Sequence, residues 1–540
     1  MPRFRITLDP RGSVSVGGYN ALRRSTAHDA HGLLIPGSTL KGALRESAVR
    51  ILRGAGHDER LADSLFGSRE FERAKLRVGP LRASDRSAQP MTRSRIGLNR
   101  TNRASASCEP CVREVAPPGS SITFEGILEL DFQVTKDELA LLRSAVAITD
   151  QLGWGRGGGH GFVALGLNGP LPERDSLGGL DFLGEFGTWY MVLEAEEPLL
   201  LRDRGGGGGE ELSNEEISGS VVRGAVAAVL NKVLPDRNRK AKLEDLLGGC
   251  NPAHFGSARA GRDGVPAPRT LDHLGRDHAV GLTLSALSGD PRTAPLRSAA
   301  GTWRREGDQW VRVHLAHRRI HRAPRNWLDG RAEANLVHSL SVIDPFEISA
   351  SDNPKPLRFW VPIRGSAEQI KMALEAASHG LTVGGSRRRG LGKLRLVGVE
   401  PTTLPVVAER HGAWASALMG EGASSEDANA TGSLLAIGFL AIDVERLEWS
   451  LHRAGLKLIG RAAYRRSAGG WNSGARLPRS LKKGFGAGSV FLVATKDGSS
   501  ALRALSLVEQ SGLGPGRPDG WGEMVACHPI HFECCSRSSL

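Results

Sequence analysis

The chain has 540 residues, of which 40% are hydrophobic and 24% charged, a composition typical of globular proteins. The excess of 71 Lys and Arg over 58 Asp and Glu gives a formal charge of +13, which favours a polyanionic partner, either nucleic acid or an anionic membrane. Its apolar runs are too short to span a membrane and its six cysteines are too few for a disulfide framework, so we expect a cytoplasmic chain with reduced thiols.

The first third of the chain carries the elements of one α/β unit. In chain order they are a strand at 4–8, a helix from an N-cap at Ser38 to about residue 52, a strand at 75–78, a strand at 122–132 and a helix at 137–151. A polar, Arg-rich insertion at about 84–120 interrupts this series, and an apolar stretch at 162–167 ends it. The order is typical of a ferredoxin-like (RRM-like) βαββαβ unit and predicts the α+β fold class.

The rest of the chain predicts a second unit and a third segment. In the second unit the pattern indicates a strand at 189–201, a helix at 221–234, a long polar insertion at about 235–324, a strand at 337–348 and a helix at 367–378. A proline-marked linker at 401–405 precedes the third segment, which has strand patterns at 434–442 and 487–493. We therefore predict a first domain at 1–172, a second at 185–400 and a C-terminal segment at 430–540.

Two sequence elements recur, and they recur together. The frame Gly-Ser-x-x-(Lys/Arg)-Gly-Ala opens the first helix of each of the first two units, at residues 37–43 and 219–225. Glycine-rich loops at 153–161, 384–392 and 512–522 each lead into an apolar, strand-like stretch. Repetition of two linked elements indicates that the units are copies of one arrangement.

Both elements are suited to hold phosphate. A helix N-terminus presents free backbone N–H groups, and a glycine-rich loop allows such groups to approach an anion closely. The candidate RNA-binding residues in and beside these elements are Ser38, Lys41, Arg45, Arg156, His160, Ser220, Arg223, Arg387, Arg388, Arg389 and Arg517. The alternatives are a plain capped helix with solvated cations and glycine turns that only permit tight packing.

The stretch 317–322 alternates cations with an apolar residue. On a strand, Arg318, Ile320 and Arg322 share one face, which would suit an RNA backbone or an unstacked base. The alternative is a solvated edge strand whose charges deter pairing with other strands.

Together these elements resemble the RAMP superfamily, whose members build CRISPR effector complexes. The first unit resembles the repeating backbone subunit of type III complexes, which polymerises along the guide RNA, through residues 35–45, 65–67, 75–78, Asp85, 95–100 and 153–161. The remainder resembles the large type III-D subunit that caps the 5′ handle of the guide, through residues 219–225, 317–322, 384–392, 470–471, 487–489 and 512–522.

The resemblance implies a backbone-type subunit fused to a handle-capping-type subunit, with tandem ferredoxin-like RAMP domains, long insertions and glycine-rich loops. It implies a structural subunit of an antiviral ribonucleoprotein whose partners are guide RNA, target RNA and the large polymerase-like, backbone and small subunits. It adds Arg100 to the RNA-binding candidates. Two alternatives stay open: a RAMP endoribonuclease that slices target RNA or processes guide RNA, and an RNA-binding protein outside CRISPR.

The resemblance also indicates where a residue that cleaves RNA would lie. Slicing members of the backbone family carry an aspartate about sixteen residues before the turn glycine, and that count from Gly37 falls on Asn20 and Ala21. Asp29, eight residues before Gly37, is the only acid in this loop and is the catalytic candidate. We favour a binding and scaffolding role without slicing, and a divalent metal is required only if the protein slices RNA. A guide-processing enzyme would instead use His28, His31 or His160.

Cys108-Glu-Pro-Cys111 is the one spacing typical of metal ligands. A structural zinc site needs four ligands, usually from two such pairs, and no second pair is present in the sequence. Incidental thiols are therefore the favoured alternative to a structural zinc at Cys108 and Cys111.

Overall fold

The structure is a computed structural model of mixed α+β class, as predicted, with antiparallel sheets. It describes residues 2–14, 28–29, 32–68, 74–85, 87–95, 111–116, 122–131, 133–153, 160–172, 186–201, 210–211, 213–269, 301–307, 309–322, 338–347, 355–387, 390–420, 430–472, 477–495 and 500–532. Within these ranges, no helix combines the length and apolar character that crossing a membrane requires.

The first unit contains strands β1–β9 and helices α1–α3. In chain order they are β1 (Arg3–Pro10), β2 (His28–Asp29), β3 (Gly32–Ile35), α1 (Gly37–Gly54), α2 (Arg60–Phe66), β4 (Leu76–Val78), β5 (Leu81–Ala83), β6 (Met91–Arg95), β7 (Cys111–Val115), β8 (Phe124–Leu130), α3 (Lys136–Ile148) and β9 (Val163–Asn168). Strand β1 lies between β8 and β9, and β4 and β5 both pair with the other edge of β8. Strands β6 and β7 form a separate antiparallel pair.

Helix α1 packs one apolar stripe against this sheet. Leu40, Leu44 and Ala48 are fully buried at helical spacing, and they join the core that contains Ile6 and Leu8 of β1. The helix begins at Gly37 after Pro36, and no side chain caps it. The prediction that Ser38 is the N-cap was therefore wrong by two residues, because the N-cap is Pro36 and the helix already begins at Gly37.

The second unit contains strands β10–β22 and helices α4–α6. In chain order they are β10 (Phe186–Ala195), β11 (Glu210–Glu211), α4 (Gly219–Val233), α5 (Asp236–Leu243), β12 (His254–Phe255), β13 (Arg259–Ala260), β14 (Val265–Pro266), β15 (Thr302–Glu306), β16 (Gln309–Arg312), β17 (Leu315–Arg322), β18 (His338–Glu347), β19 (Lys355–Pro356), β20 (Arg358–Ser366), α6 (Ala367–Ser378), β21 (Leu381–Thr382) and β22 (Lys393–Pro401). The main sheet has the order β12-β20-β10-β22-β21, and β13 also pairs with β20.

Two predictions for the second unit differ from the structure. The stretch expected to be a polar insertion contributes β12 and β13 to the main sheet, and its β14–β16 sheet carries the buried Trp303 and Trp310. The strand expected at 337–348 is β18, which pairs with β17 in another sheet. In the main sheet, the strand that pairs with β10 at this point of the chain is β20. Strands of two residues leave no periodicity in a sequence, which is why β12 and β13 were missed.

The third unit contains helices α7–α9 and strands β23–β28. In chain order they are α7 (Val407–Gly420), β23 (Gly432–Ala436), α8 (Val444–Arg453), β24 (Lys457–Ala462), β25 (Arg465–Asn472), β26 (Leu477–Phe485), β27 (Val490–Ala494), α9 (Ala501–Ser511) and β28 (Met524–Ala526). Its sheet has the order β24-β27-β23-β28, and β25 and β26 form a separate antiparallel pair.

The three main sheets share one strand order. In each sheet, the strand that comes first in the chain pairs with the last strand on one side and with the third strand on the other. The second strand in the chain pairs with the far edge of the third. Each unit also inserts an antiparallel strand pair between its second and third sheet strands; we call β6–β7, β17–β18 and β25–β26 the inserted pairs. Each main sheet has its own hydrophobic core. The domain boundaries given above stay predictions.

Candidate nucleic-acid interface

The three glycine-rich loops are closed at their bases by the same contacts. The last glycine of each loop, which we call the closing glycine, accepts a hydrogen bond of 2.8 Å on its carbonyl oxygen from a backbone N–H at the start of the loop. The pairs of donor and closing glycine are Leu152 with Gly161, Val383 with Gly392, and Leu513 with Gly522. Every closing glycine has a positive φ, and a Cβ there would lie about 2 Å from the partner carbonyl oxygen. Glycine is therefore required at this position by backbone packing.

The loop of the second unit lies on the start of α1 in the first unit. A Cβ on Gly390 would be 3.0 Å from the carbonyl oxygen of Val78 and 3.7 Å from the Cα of Gly37. We call this contact the first joint. The glycine-rich loop of one unit thus contacts the start of the recurring helix frame in the unit before it.

The loop of the third unit repeats this contact on the second unit. A Cβ on Gly520 would be 2.6 Å from the carbonyl oxygen of Phe255, and one on Gly219 would be 2.7 Å from that of Asp519. We call this contact the second joint. In both joints the loop packs against the start of the preceding unit's first helix, so tight packing accounts for part of the glycine pattern.

Buried ion pairs surround the first joint. Arg77 pairs with Glu197 and donates to the Thr382 hydroxyl at 3.0 Å, and Lys393 Nζ lies 2.8 Å from the carboxylate of Glu129. Burial raises the pKa of the Glu197 carboxyl, while Arg77 opposes that rise. Removing one partner would leave a buried charge without compensation, so these pairs favour one docking arrangement of the two units.

Arg223, predicted to bind RNA, lies in the second joint. Its Nη1 is 2.7 Å from a carboxylate oxygen of Asp519, and Nη2 contacts the carbonyl of Leu247. At the equivalent position in α1, Lys41 donates to the carbonyl of Leu76 at 2.8 Å.

Five further described candidates in or beside the recurring elements also have polar contacts within the protein. Arg45 lies 2.6 Å from Asp63, and Arg517 donates to the carbonyl of Gly512 at 2.9 Å. The Ser220 hydroxyl is 3.1 Å from that of Ser218. His160 and Arg387 lie at the ends of the first and second loops and also make polar contacts.

Several candidates fall wholly or partly outside the described residues. Those outside are Arg100, Arg156, Arg388, Arg389 and Cys108, and those described by their backbone alone are Asp29, Arg322 and Cys111. Asp29 lies in β2 opposite Gly32. The part of the chain that is described holds no group of three metal-ligating side chains. The catalytic and zinc predictions stay predictions.

Strand β17 presents the opposite face to solvent from the one expected. Arg318 lies 3.0 Å from the buried Asp344, and Ile320 packs against the small core around Leu340. The exposed side chains are His317 and Arg319. The alternation was correctly recognised, but it does not reveal which of the two faces is covered by protein.

The inserted pair of the third unit is a basic surface that sequence reasoning did not select. Arg465, Lys482 and Lys483 are exposed, as are the apolar Leu477 (62%) and Leu481 (57%). Mixed cations and apolar side chains on an exposed ribbon suit a nucleic acid, which offers both phosphates and base faces.

The inserted pair of the first unit also contains basic residues in its sequence. Arg93 lies directly opposite Arg113 in the register of β6 and β7. Basic residues therefore occur on the inserted pair of every unit.

Two helix glycines leave the helix backbone exposed at their positions. Gly42 in α1 and Gly224 in α4 occupy the same position of the recurring frame, both are exposed, and a Cβ on either would meet nothing within 4 Å. A glycine in a helix interior lowers stability by about 1 kcal/mol relative to alanine. Packing within the described chain gives no reason for either glycine.

We predict that Gly520→Ala destabilises the protein by about 2–4 kcal/mol, because its φ is +75° and its Cβ would overlap backbone atoms across the second joint. Thermal unfolding followed by Trp fluorescence measures the change. Gly412→Ala in α7, where a Cβ meets nothing within 4 Å, is the control and should raise stability by about 0.5–1 kcal/mol. A Gly520→Ala protein as stable as the wild type would contradict close packing at this joint.

Comparison with known proteins identifies part of the chain. Residues 32–163 match the family model of the RAMP superfamily. A chain from the "Cryo-EM structure of the Type III-B Cmr-beta bound to cognate target RNA" matches with 16% identity and a TM-score of 0.25, over 32% of this chain and 61% of that chain. This protein thus spans about three-fifths of that neighbour's length. A search of curated proteins gave no match. The chain carries a RAMP-superfamily domain within its first unit.

Proposed function

We propose that the protein is an RNA-binding structural subunit of a type III CRISPR effector complex, which scaffolds guide RNA and its pairing with target RNA. The observation that carries the proposal is that each unit has an inserted pair at the same place in its strand order, and that the sequence of each pair contains Lys or Arg residues. A polyanion that contacts equivalent surfaces on successive units has the character of a single RNA strand laid along them.

We propose further that each unit is a ferredoxin-like (RRM-like) βαββαβ fold. The shared strand order, with a helix between the first and second strands and another between the third and last, supports this. The RAMP match covers much of the first unit, and the second and third units have the same sheet order. The D subtype, and the fusion of a backbone-type with a handle-capping-type subunit, rest on the motifs that resemble those subunits.

The bare helix backbone at Gly42 and Gly224 supports approach by a ligand from outside the chain. A nucleic-acid backbone can come closer to a helix without a Cβ, and cations flank both positions, with Lys41 and Arg45 beside the first and Arg223 beside the second. These cations are held by protein partners, so they would act as fixed positive charges beside the strand.

An endoribonuclease is the second candidate function. It would use Asp29 with a divalent metal to slice target RNA, or a histidine to process guide RNA. The missing carboxylate sixteen residues before Gly37 favours the scaffold over the slicer. An RNA-binding role outside CRISPR is the third candidate, and the identity of the bound RNA separates it from the first.

Co-purification with the products of neighbouring genes, followed by sequencing of the bound RNA, is the direct test. We expect uniform short RNAs with a shared 5′ sequence, because a guide-binding subunit would select one processed species. Heterogeneous RNA would support a general RNA-binding protein instead, and recovery of no RNA would remove the proposal.

We predict that Lys482→Glu with Lys483→Glu weakens binding of single-stranded RNA at least tenfold near 0.15 M salt. Loss of two phosphate contacts should also reduce the slope of log affinity against log salt by about 1.4. Fluorescence anisotropy with a labelled RNA measures both quantities. The matched control is Lys240→Glu with Lys242→Glu on α5, an equal charge change at exposed sites away from the inserted pairs. Equal losses in the two variants would indicate only a generic effect of net charge.

We predict that Gly42→Ala raises thermal stability while lowering RNA affinity about fivefold or more. The added methyl group favours the helix by roughly 1 kcal/mol but occupies the surface that the RNA backbone would approach. Unfolding and anisotropy measurements on one preparation test both effects. Gly412→Ala, also a helix glycine with open surroundings, should raise stability and leave RNA affinity unchanged. Unchanged affinity in Gly42→Ala would exclude close RNA approach at this helix.

A further inference from the structure

A cavity of about 450 Å³ lies between the main sheet of the second unit and the third unit. Its size falls in the range of ~300–1,000 Å³ typical of small-ligand sites. One wall is a sheet face, and the opposite wall comes from α7, α9 and the segment that follows the third glycine-rich loop.

The sheet wall is a flat, partly aromatic platform. Tyr190 of β10 lies opposite Pro362 of β20, and Trp360 lies two residues further along the same face. The Trp360 indole is held by a hydrogen bond of 3.2 Å to Glu400. Burial, with the nearby charge of Asp263, raises the pKa of the Tyr190 phenol, which is therefore neutral. Such a surface suits the face of a planar heterocycle.

The lining of the cavity includes a buried carboxylate with one oxygen that has no hydrogen-bond partner among the described residues. Glu523 is 7% exposed and lines the cavity, and its Oε2 atom has no hydrogen-bond partner among the described residues. The nearest cation is Arg364, whose Nη2 lies 3.9 Å from Oε1, beyond hydrogen-bond distance. The Nε of Arg364 is likewise unsatisfied within the described structure. A buried acceptor of this kind lowers stability unless a donor reaches it.

Two of the arginines that line the cavity pair with glutamates, and Asp263 accepts a hydrogen bond from the Thr403 hydroxyl. The Nη2 atom of Arg410 lies 2.7 and 2.8 Å from the two carboxylate oxygens of Glu509, and Arg259 pairs with Glu216 at 2.7 Å. Besides Asp263, whose Oδ1 atom is also unsatisfied among the described residues, the groups left for a ligand are the guanidinium of Arg364 and the carboxylate of Glu523, side by side. Together they carry N–H donors and two acceptor oxygens.

We propose that this cavity binds an unpaired guanine base. The Watson–Crick edge of guanine presents an acceptor, O6, followed by two donors, N1–H and the N2 amine, which is the complement of Arg364 and Glu523. Adenine and cytosine lack the two adjacent donors, and hypoxanthine lacks the amine. The base would stack on the platform formed by Tyr190, Pro362 and Trp360.

The guanine comes either from a free nucleotide or from an RNA strand, and only the second source rests on the proposed function. Titration calorimetry of the full chain with GMP, IMP and AMP tests the base preference directly. We expect GMP to bind at least tenfold more tightly than IMP or AMP. Glu523→Gln should reduce GMP affinity at least tenfold, because its amide nitrogen would face a donor of the base.

A second arm uses a short single-stranded RNA with one guanosine, and the same RNA with inosine in its place. Weaker binding of the inosine RNA by the wild type, but not by Glu523→Gln, supports the RNA source even if GMP alone does not bind. Equal binding of GMP and AMP, or no GMP binding together with no guanosine preference in RNA, overturns the proposal. GMP binding without RNA binding would leave the cavity assignment intact and remove the RNA scaffold.

A thermal unfolding midpoint within a few degrees of the wild type confirms that Glu523→Gln is folded. The order in which the wild type prefers GMP, IMP and AMP does not depend on any variant.

Discussion

Close backbone contact at two glycines determines how the three units pack on one another. At Gly520 a loop of the third unit meets the second strand of the preceding unit at a distance that a Cβ atom does not tolerate, and at Gly390 the equivalent contact would leave a Cβ only 3.0 Å from the carbonyl oxygen of Val78. The start of the preceding unit's first helix lies in the same contact, through Gly37 or Gly219. Ion pairs beside these contacts, such as Arg77 with Glu197 and Arg223 with Asp519, then favour a single docked arrangement. The candidate binding surfaces depend on this order, because the inserted pairs repeat with the units and the 450 Å³ cavity exists only where the second and third units meet.

Elements that span several residues of regular spacing could be predicted from the sequence. The recurring helix frame, the three glycine-rich loops and strands such as β8 and β10 were recognised because each spans several residues of regular spacing. The two-residue strands β12 and β13 could not be predicted, since their pairing with β20 depends on tertiary contact alone. The order of the sheets likewise follows from contacts between residues far apart in the chain.

Cations were easy to find in the sequence, but their partners were not. Lys41 and Arg223 belong to the recurring frame and Arg45 follows it, yet each contacts a protein acceptor that lies 18 or more residues away. Whether a basic residue faces solvent or a carboxylate is decided by the fold, and the exposed cations of β25 and β26 stand out only once the sheet is known. Glu523, with one oxygen that has no hydrogen-bond partner among the described residues, is a still clearer case, since a lone glutamate after a glycine has no distinguishing sequence pattern.

The joints also have a consequence for assembly. Because all three units are covalently connected, each docking step is intramolecular, and short connections give effective concentrations of about millimolar. A joint with an affinity far too weak to hold separate proteins together at cellular concentrations would still be closed most of the time. The joints therefore need to fix the geometry of the units more than to supply affinity, and small glycine contacts suffice where separate subunits would need a broad apolar interface.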